Sequence, residues 1–254
     1  MDFFQAVSIG LVQGVTEWFP VSSKTHLVIA ERLLGIDASG VALEVVLHLG
    51  TLASAVVFFR ARWARILLRP GDGAARRALG MLLLATIPVA VAGLTAHHAL
   101  EARLHDRRWA AAGFLACGAF LVAAGRKAPG GRDVGWGRAF LIGAAQALAL
   151  LPGVSRSGMS IGTGLLAGVR RERAVEFSFM CVVPAVLGAT ILKMGEIGGA
   201  ARDYGAGALC LAAGAAFVSG LAAIGVLRWA VVAGRFSWFG WYCVAIGTAW
   251  AIWG

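Results

Sequence analysis

Two short stretches hold most of the side chains able to do chemistry. In the first, Gln13 and Glu17 lie four residues apart and so share one helical face. Pro20-Val21-Ser22-Ser23-Lys24-Thr25-His26 follows directly. The second stretch repeats the outline with Gln146 and then Pro152-Gly153-Val154-Ser155-Arg156-Ser157. Each proline stops a helix, and a new one is expected to start at Ser22/Ser23 and at Ser155. The plainest role for those serines is capping. The first turn of a helix, however, also presents free N–H groups and a positive dipole end, both of which favour phosphate. With Lys24 and Arg156 each following a serine, the two tips make a paired anion receptor. Arg156 can grip two phosphate oxygens at once, whereas Lys24 is a point charge. A structural salt bridge is the simpler role for Arg156, but its surroundings favour phosphate binding.

The two copies are not equivalent. Leu150 stands where Glu17 would be, and Gly158 where His26 would be. This asymmetry predicts that the first copy carries the reaction and the second helps to hold the anion. A Glu–His pair inside a membrane could alternatively act as a proton relay.

The elements that position these residues follow from composition. Of the 254 residues, 59% are hydrophobic and 14% charged, a balance that belongs to a polytopic membrane protein and not to a soluble domain. The net charge of +10 sits in short loops between apolar spans, which excludes nucleic acid as the natural partner. The start, with Asp2 and no basic run, does not read as a removable signal peptide. Spans are predicted near 41–59, 78–100, 109–124, 174–194, 204–227 and 238–253. Segments 3–34 and 139–168, broken at Pro20 and Pro152, are expected to enter and leave the membrane on one side.

The predicted fold is therefore all-α, with six transmembrane helices and two re-entrant helical hairpins. Each half has an odd number of crossings, which inverts the second relative to the first. The halves are 1–124 and 139–254 within a single domain, joined by the basic, Gly-rich connector 125–138. Arg60, Arg62, Arg65, Arg69, Arg76 and Arg77, together with Arg170, Arg171 and Arg173, put their loops on the cytoplasmic side. The loops at 101–108 and 195–203 then face outward, although Arg103, Arg107 and Arg108 crowd the first of them.

Other residues are expected to play lesser parts. Glycines such as those of Gly158-x-x-x-Gly162 and Gly164-x-x-x-Gly168 should serve helix packing. The four cysteines, Cys117, Cys181, Cys210 and Cys243, read as small buried hydrophobes. Glu44 and His48, with Glu176 as the counterpart of Glu44, are expected to make packing hydrogen bonds that support the hairpins. His97, His98 and His105 read as interfacial, and Trp229, Trp238, Trp241, Trp250 and Trp253 as interface anchors.

On these motifs the chain resembles the undecaprenyl-diphosphate phosphatases, also called bacitracin-resistance proteins. Gln13, Glu17, Pro20-Val21-Ser22-Ser23 and His26 match the first family signature, and Pro152-Gly153-Val154-Ser155-Arg156-Ser157 the second. Glu176-Phe177-Ser178-Phe179 through Pro184, and Leu43-Glu44-Val45-Val46, extend the similarity along the chain. The resemblance implies hydrolysis of a C55 polyprenyl diphosphate to the monophosphate carrier lipid of cell-wall synthesis, with bacitracin resistance. It implies a bacterial plasma membrane protein whose site opens toward the outer face, and it leaves a homodimer open.

By the same resemblance Gln13 and Glu17 serve a divalent metal, Mg²⁺ or Ca²⁺. Ser23 is the nucleophile or a substrate contact, His26 a general acid/base and Arg156 the phosphate clamp. Ser22, Lys24, Thr25, Ser155 and Ser157 complete the substrate site. Ser22, His26 or an activated water are alternative nucleophiles. A carrier or flippase of a phosphorylated polyprenyl lipid is the alternative function. Two departures bear on substrate and metal: position 13 is Gln where many relatives have Glu, and Lys24-Thr25 stands where the family usually reads Thr-Gly.

Overall fold

The computed structural model describes residues 1–36, 41–101, 106–193 and 203–253, which are helical without strands apart from one isolated bridge between Arg132 and Val169. The first hairpin consists of α1, Phe3–Trp18, and α2, Ser23–Leu34. Asp2 and Gln5 form a reciprocal capping box at the start of α1. The Gln5 amide also donates to the Leu34 carbonyl at 3.0 Å, tying the end of α2 back to the start of α1. The second hairpin, α7 (Trp136–Leu148) and α8 (Arg156–Leu166), is closed in the same manner, with Arg138 Nε donating to the Ala167 carbonyl at 3.2 Å. The breaks fall at the prolines, as their missing N–H groups require.

The remaining helices are α3 (Val41–Phe58), α4 (Arg60–Leu68), α5 (Gly73–Glu101), α6 (Arg107–Gly125), α9 (Arg171–Lys193), α10 (Ala206–Val232) and α11 (Ser237–Trp253). Each of the six expected spans coincides with one of them. Among the described residues four stretches are long and apolar enough to cross a membrane, namely Gly73–Thr95, Arg107–Gly125, Arg171–Ile191 and Ala206–Val232. A fifth is obtained if α3 and α4, bent by 78° at their junction, count as one span. At 17 residues, α11 is at the short limit for a crossing.

Helix α4 was not anticipated from the sequence. Its arginines read as a loop, yet Ile66 is buried while Leu67 and Leu68 are exposed on the opposite side. Residues 102–105 and 194–202, and with them His105 and most of the two loops expected on the outer side, lie outside the described residues. The side chains of His97 and His98 do so as well.

Close helix approach holds the hairpins. Helix α1 lies along α10, and a Cβ at Gly10 would meet the Ala212 carbonyl. At Gly14 it would collide with the Ser219 hydroxyl and the Ala216 carbonyl. Helix α7 lies on α5 through Gly143 in the same way. Gly158 and Gly162 face α6, and Gly164 faces Ala174 of α9, in keeping with the packing role expected of them. Gly168 instead ends the hairpin as a left-handed turn. Cys117, Cys181 and Cys243 are buried, but Cys210 is exposed, because its position on α10 points away from the helices that α10 packs against. Trp229, Trp238 and Trp241 are exposed as expected of anchors, and Arg235 lies over the first two rings.

The connector is pinned by Asp133, which accepts from Arg173 at 2.9 Å and Arg170 at 3.2 Å. Partial burial would raise its carboxyl, but the hydrogen bond and charge of Arg173, with that of Arg170, hold it below the ordinary aspartate value. This contribution is therefore full above the unfolded aspartate range and is lost as pH falls through the lowered folded value. Solvent screening of the half-exposed pairs keeps it within about 1 kcal/mol.

Gly14→Ala is expected to lower the thermal unfolding midpoint in detergent, since overpacking costs about 1–3 kcal/mol. Gly225→Ala on α10, where an added Cβ meets nothing within 4 Å, should leave the midpoint unchanged or raise it slightly.

Candidate active site

The two hairpin tips abut. The Gly153 N–H donates to Thr25 Oγ1 at 3.1 Å, and Ser157 Oγ donates to the Phe19 carbonyl at 3.3 Å. Gly153, at φ 78°, sits so tightly on α6 that a Cβ would strike the Ala110 carbonyl and the Phe114 amide. The tips differ in how they begin their second helices. Ser155 caps α8 in the ordinary manner, its hydroxyl accepting from the Gly158 N–H at 3.2 Å. Ser22 holds the cap position of α2 at φ 66°, the one left-handed non-glycine among the described residues, and its hydroxyl makes no capping bond. That conformation costs on the order of 1–3 kcal/mol. The Ser22 hydroxyl lies 3.4 Å from that of Thr25.

Glu17 is the hub of the seam and is 7% exposed. Its Oε1 accepts from Arg156 Nη2 at 3.0 Å across the two tips. Its Oε2 accepts from Ser23 Oγ at 2.7 Å and from Gln13 Nε2 at 3.3 Å. His48 Nε2 of α3 lies 3.5 Å from the same oxygen. A carboxylate this deep in an apolar bundle persists only when it is paired and hydrogen-bonded. Only Nη2 of Arg156 has a protein acceptor among the described residues, so the other guanidinium N–H groups remain available.

The structure thus brings together Gln13, Glu17, Ser23 and Arg156. Lys24 turns instead toward Glu44 at 3.9 Å. Thr25, Ser155 and Ser157 are buried, with hydroxyls engaged at the tip contacts. His26 stands to one side. Its Nδ1 is 2.9 Å from the Ser22 carbonyl, and because a carbonyl can only accept, that nitrogen carries the proton. In the neutral ring Nε2 then accepts from the Tyr242 hydroxyl at 2.8 Å, the two rings lying nearly parallel with centroids 5.9 Å apart. No hydrogen bond or ion pair joins His26 to Glu17, Ser23 or Arg156 among the described residues.

Two residues gain importance over the sequence reading. His48 had a local signal in its spacing from Glu44, but its contact with Glu17 depends on where α3 crosses the first tip. Tyr242 had none, being 216 residues from its partner. Gln146 persists in the second copy as a buried amide with no acid beside it.

Among the described residues no three His, Cys, Asp or Glu side chains gather as a metal site. The donors that are present do suit a hard cation. Gln13 Oε1 is buried without a hydrogen-bond partner next to the Glu17 carboxylate, and such ions take oxygen ligands while keeping several waters.

Fold and site together define an all-helical, multi-pass membrane protein with an arginine-paired carboxylate and a serine at apposed hairpin tips. Residues 6–249 match the family described as Bacitracin resistance protein BacA. The chain is 37% identical over 252 residues to an undecaprenyl-diphosphatase of Rhodopirellula baltica, covering 97% of this chain and 96% of that one. It is 38% identical over 261 residues to the undecaprenyl-diphosphatase of Syntrophotalea carbinolica, covering 97% of each. It is 41% identical over 212 residues to that of Rubrobacter xylanophilus, covering 78% of each. The chain belongs to the bacitracin resistance protein BacA family.

Arg156→Ala should destabilise the protein by about 3–5 kcal/mol, because the buried Glu17 charge loses its arginine partner and Oε1 loses its hydrogen bond. Adding Glu17→Gln to that variant should restore part of the unfolding midpoint without restoring activity. Tyr242→Phe keeps the ring stack and removes one hydrogen bond, so kcat should fall about 5-fold at nearly constant KM.

Proposed function

We infer that this chain is an integral membrane undecaprenyl-diphosphatase, releasing the terminal phosphate of a C55 polyprenyl diphosphate and leaving the monophosphate. The observation that carries this reading is the single seam where Ser23 and Arg156 reach opposite oxygens of Glu17. The relatives, named as undecaprenyl-diphosphatases, set the substrate. The carrier alternative is not favoured, since an anion carrier needs the basic tips but not a serine bonded to a carboxylate.

In this mechanism the spare N–H groups of Arg156 take oxygens of the terminal phosphoryl group and offset charge as it develops. Ser23 Oγ attacks the terminal phosphorus, passing its proton to Glu17 Oε2. The bond from that phosphorus to the bridging oxygen breaks, and the polyprenyl monophosphate departs with the electron pair. Water then opens the phosphoserine, the proton held by Glu17 returns to Ser23 Oγ, and inorganic phosphate leaves. The His26 ring, both nitrogens engaged by the Ser22 carbonyl and the Tyr242 hydroxyl, braces the turn that presents Ser23. When bound at Glu17 and Gln13 Oε1, Mg²⁺ or Ca²⁺ would neutralise part of the substrate's negative charge.

The finer architecture belongs to the same proposal: six crossings and two re-entrant hairpins, in inverted halves 1–124 and 139–254 about the connector 125–138. The matching ties Gln5–Leu34 and Arg138–Ala167, at corresponding places in the two copies, support it. We place the protein in a bacterial plasma membrane with the site toward the outer face.

The test is phosphate release from C55 polyprenyl diphosphate by purified protein in detergent, with and without Mg²⁺ or Ca²⁺. Metal-dependent release is expected, with Ser23→Ala and Arg156→Lys each losing about 10²-fold or more in kcat. No release by folded wild-type protein would refute the assignment, and full activity of Ser23→Ala would remove Ser23 as nucleophile.

A further inference from the structure

A cavity of about 330 Å³ lies away from the hairpin seam, at the corner where α4, the start of α5, the start of α9 and the connector meet. Its floor is apolar, formed by side chains such as Met81, Leu82, Phe177 and Met180. Four arginines line it, Arg62, Arg65, Arg77 and Arg173, against two carboxylates, Asp133 and Glu176. The carboxylates are already committed. Glu176 pairs with Arg62 at 2.5 Å and Arg173 at 2.6 Å, and Asp133 holds Arg173 at 2.9 Å. Arg65 and Arg77 have no ion-pair partner among the described residues, so the cavity carries two uncompensated guanidinium groups. It opens beside α4, which turns 78° from α3 and exposes Leu67 and Leu68. A short helix with buried and exposed apolar residues and arginines between them suits the level of lipid headgroups.

We propose that this cavity is a binding site for the phosphate monoester of one membrane lipid, with the phosphate on Arg65 and Arg77 and the upper part of a chain on the apolar floor. Two free guanidinium groups match the charge of a phosphate monoester near neutral pH, which is about −1.5 to −2. Arginine forks bind such oxygens in pairs. Basic pockets between the ends of transmembrane helices are a recurrent place for anionic headgroups. The exposed Leu67 and Leu68 of α4 beside the opening, together with the apolar floor, favour a lipid over free phosphate, because they offer a chain apolar contact that a small ion cannot use. The ion-paired Arg62 and Arg173 shape the wall and keep Asp133 and Glu176 from cancelling the two free charges.

Native mass spectrometry of the full chain, released from detergent after incubation with phosphatidic acid or phosphatidylcholine, tests the proposal. Wild-type protein should retain one phosphatidic acid per chain, at least about 10-fold more than phosphatidylcholine. The Arg65→Gln/Arg77→Gln variant should fall to the phosphatidylcholine level while keeping the wild-type unfolding midpoint. Arg126→Gln/Lys127→Gln, which removes two exposed charges away from the cavity, should bind like wild type. Inorganic phosphate at equal concentration should not displace the lipid. Equal retention by wild type and the Arg65/Arg77 variant would overturn the site, as would equal loss from both variants. Displacement by free phosphate would overturn its assignment to a lipid.

Discussion

The fold is organised around one buried negative charge. Glu17 sits at the end of an apolar helix, within an apolar bundle, and every polar group that reaches it arrives from a different element. Arg156 comes from the second hairpin, Ser23 from across the proline break, Gln13 from one turn back and His48 from α3. The cost of an isolated ion in such surroundings is several kcal/mol. Correct docking of the two hairpins is therefore also the condition under which the carboxylate is tolerable. Assembly of the site and assembly of the tips are one event.

The close helix contacts serve this end. Where α1 passes α10, Gly10 and Gly14 let backbone meet backbone, and Gly14 is next to Gln13 in sequence. The second tip is seated on α6 through Gly153, which fixes the height from which Arg156 reaches across. Trp18, fully buried and hydrogen-bonded to Ser54 at 3.1 Å, anchors the residue beside Glu17 to α3. Positioning thus comes from rigid helix-on-helix packing, and the loops at the tips are short turns, residues 19–22 in the first and 149–155 in the second.

Much of this was legible in the sequence, because the signals were local. Pro20 and Pro152 announce the breaks, the repeated Gln, Pro and Ser spacing announces the two tips, and apolar runs announce the long helices. Less legible was what depends on which helices cross. His48 and Tyr242 lie far along the chain from Glu17 and His26, and no periodicity links them. The arginines of α4 masked a helix because charge pattern and loop composition look alike until Ile66 is seen to be buried. Exposure of Cys210 shows the same limit, since a uniformly apolar helix gives no indication of which side its neighbours occupy. Membership in the family rests on resemblance over nearly the whole chain, whereas the pairing of Glu17 with Arg156 could be read only from the fold.

Ser22 brings a different consequence into view. Its backbone adopts a left-handed turn that glycine enters freely and serine does not. Glycine there would relax the hairpin at the loss of a side-chain oxygen. The serine sets two physical demands against each other at a single Cβ, with backbone relaxation on one side and a hydroxyl beside Thr25 on the other. The tip is held slightly sprung, and the same strained residue turns its carbonyl to His26 and its hydroxyl to Thr25, so the tension is stored where the two tips meet.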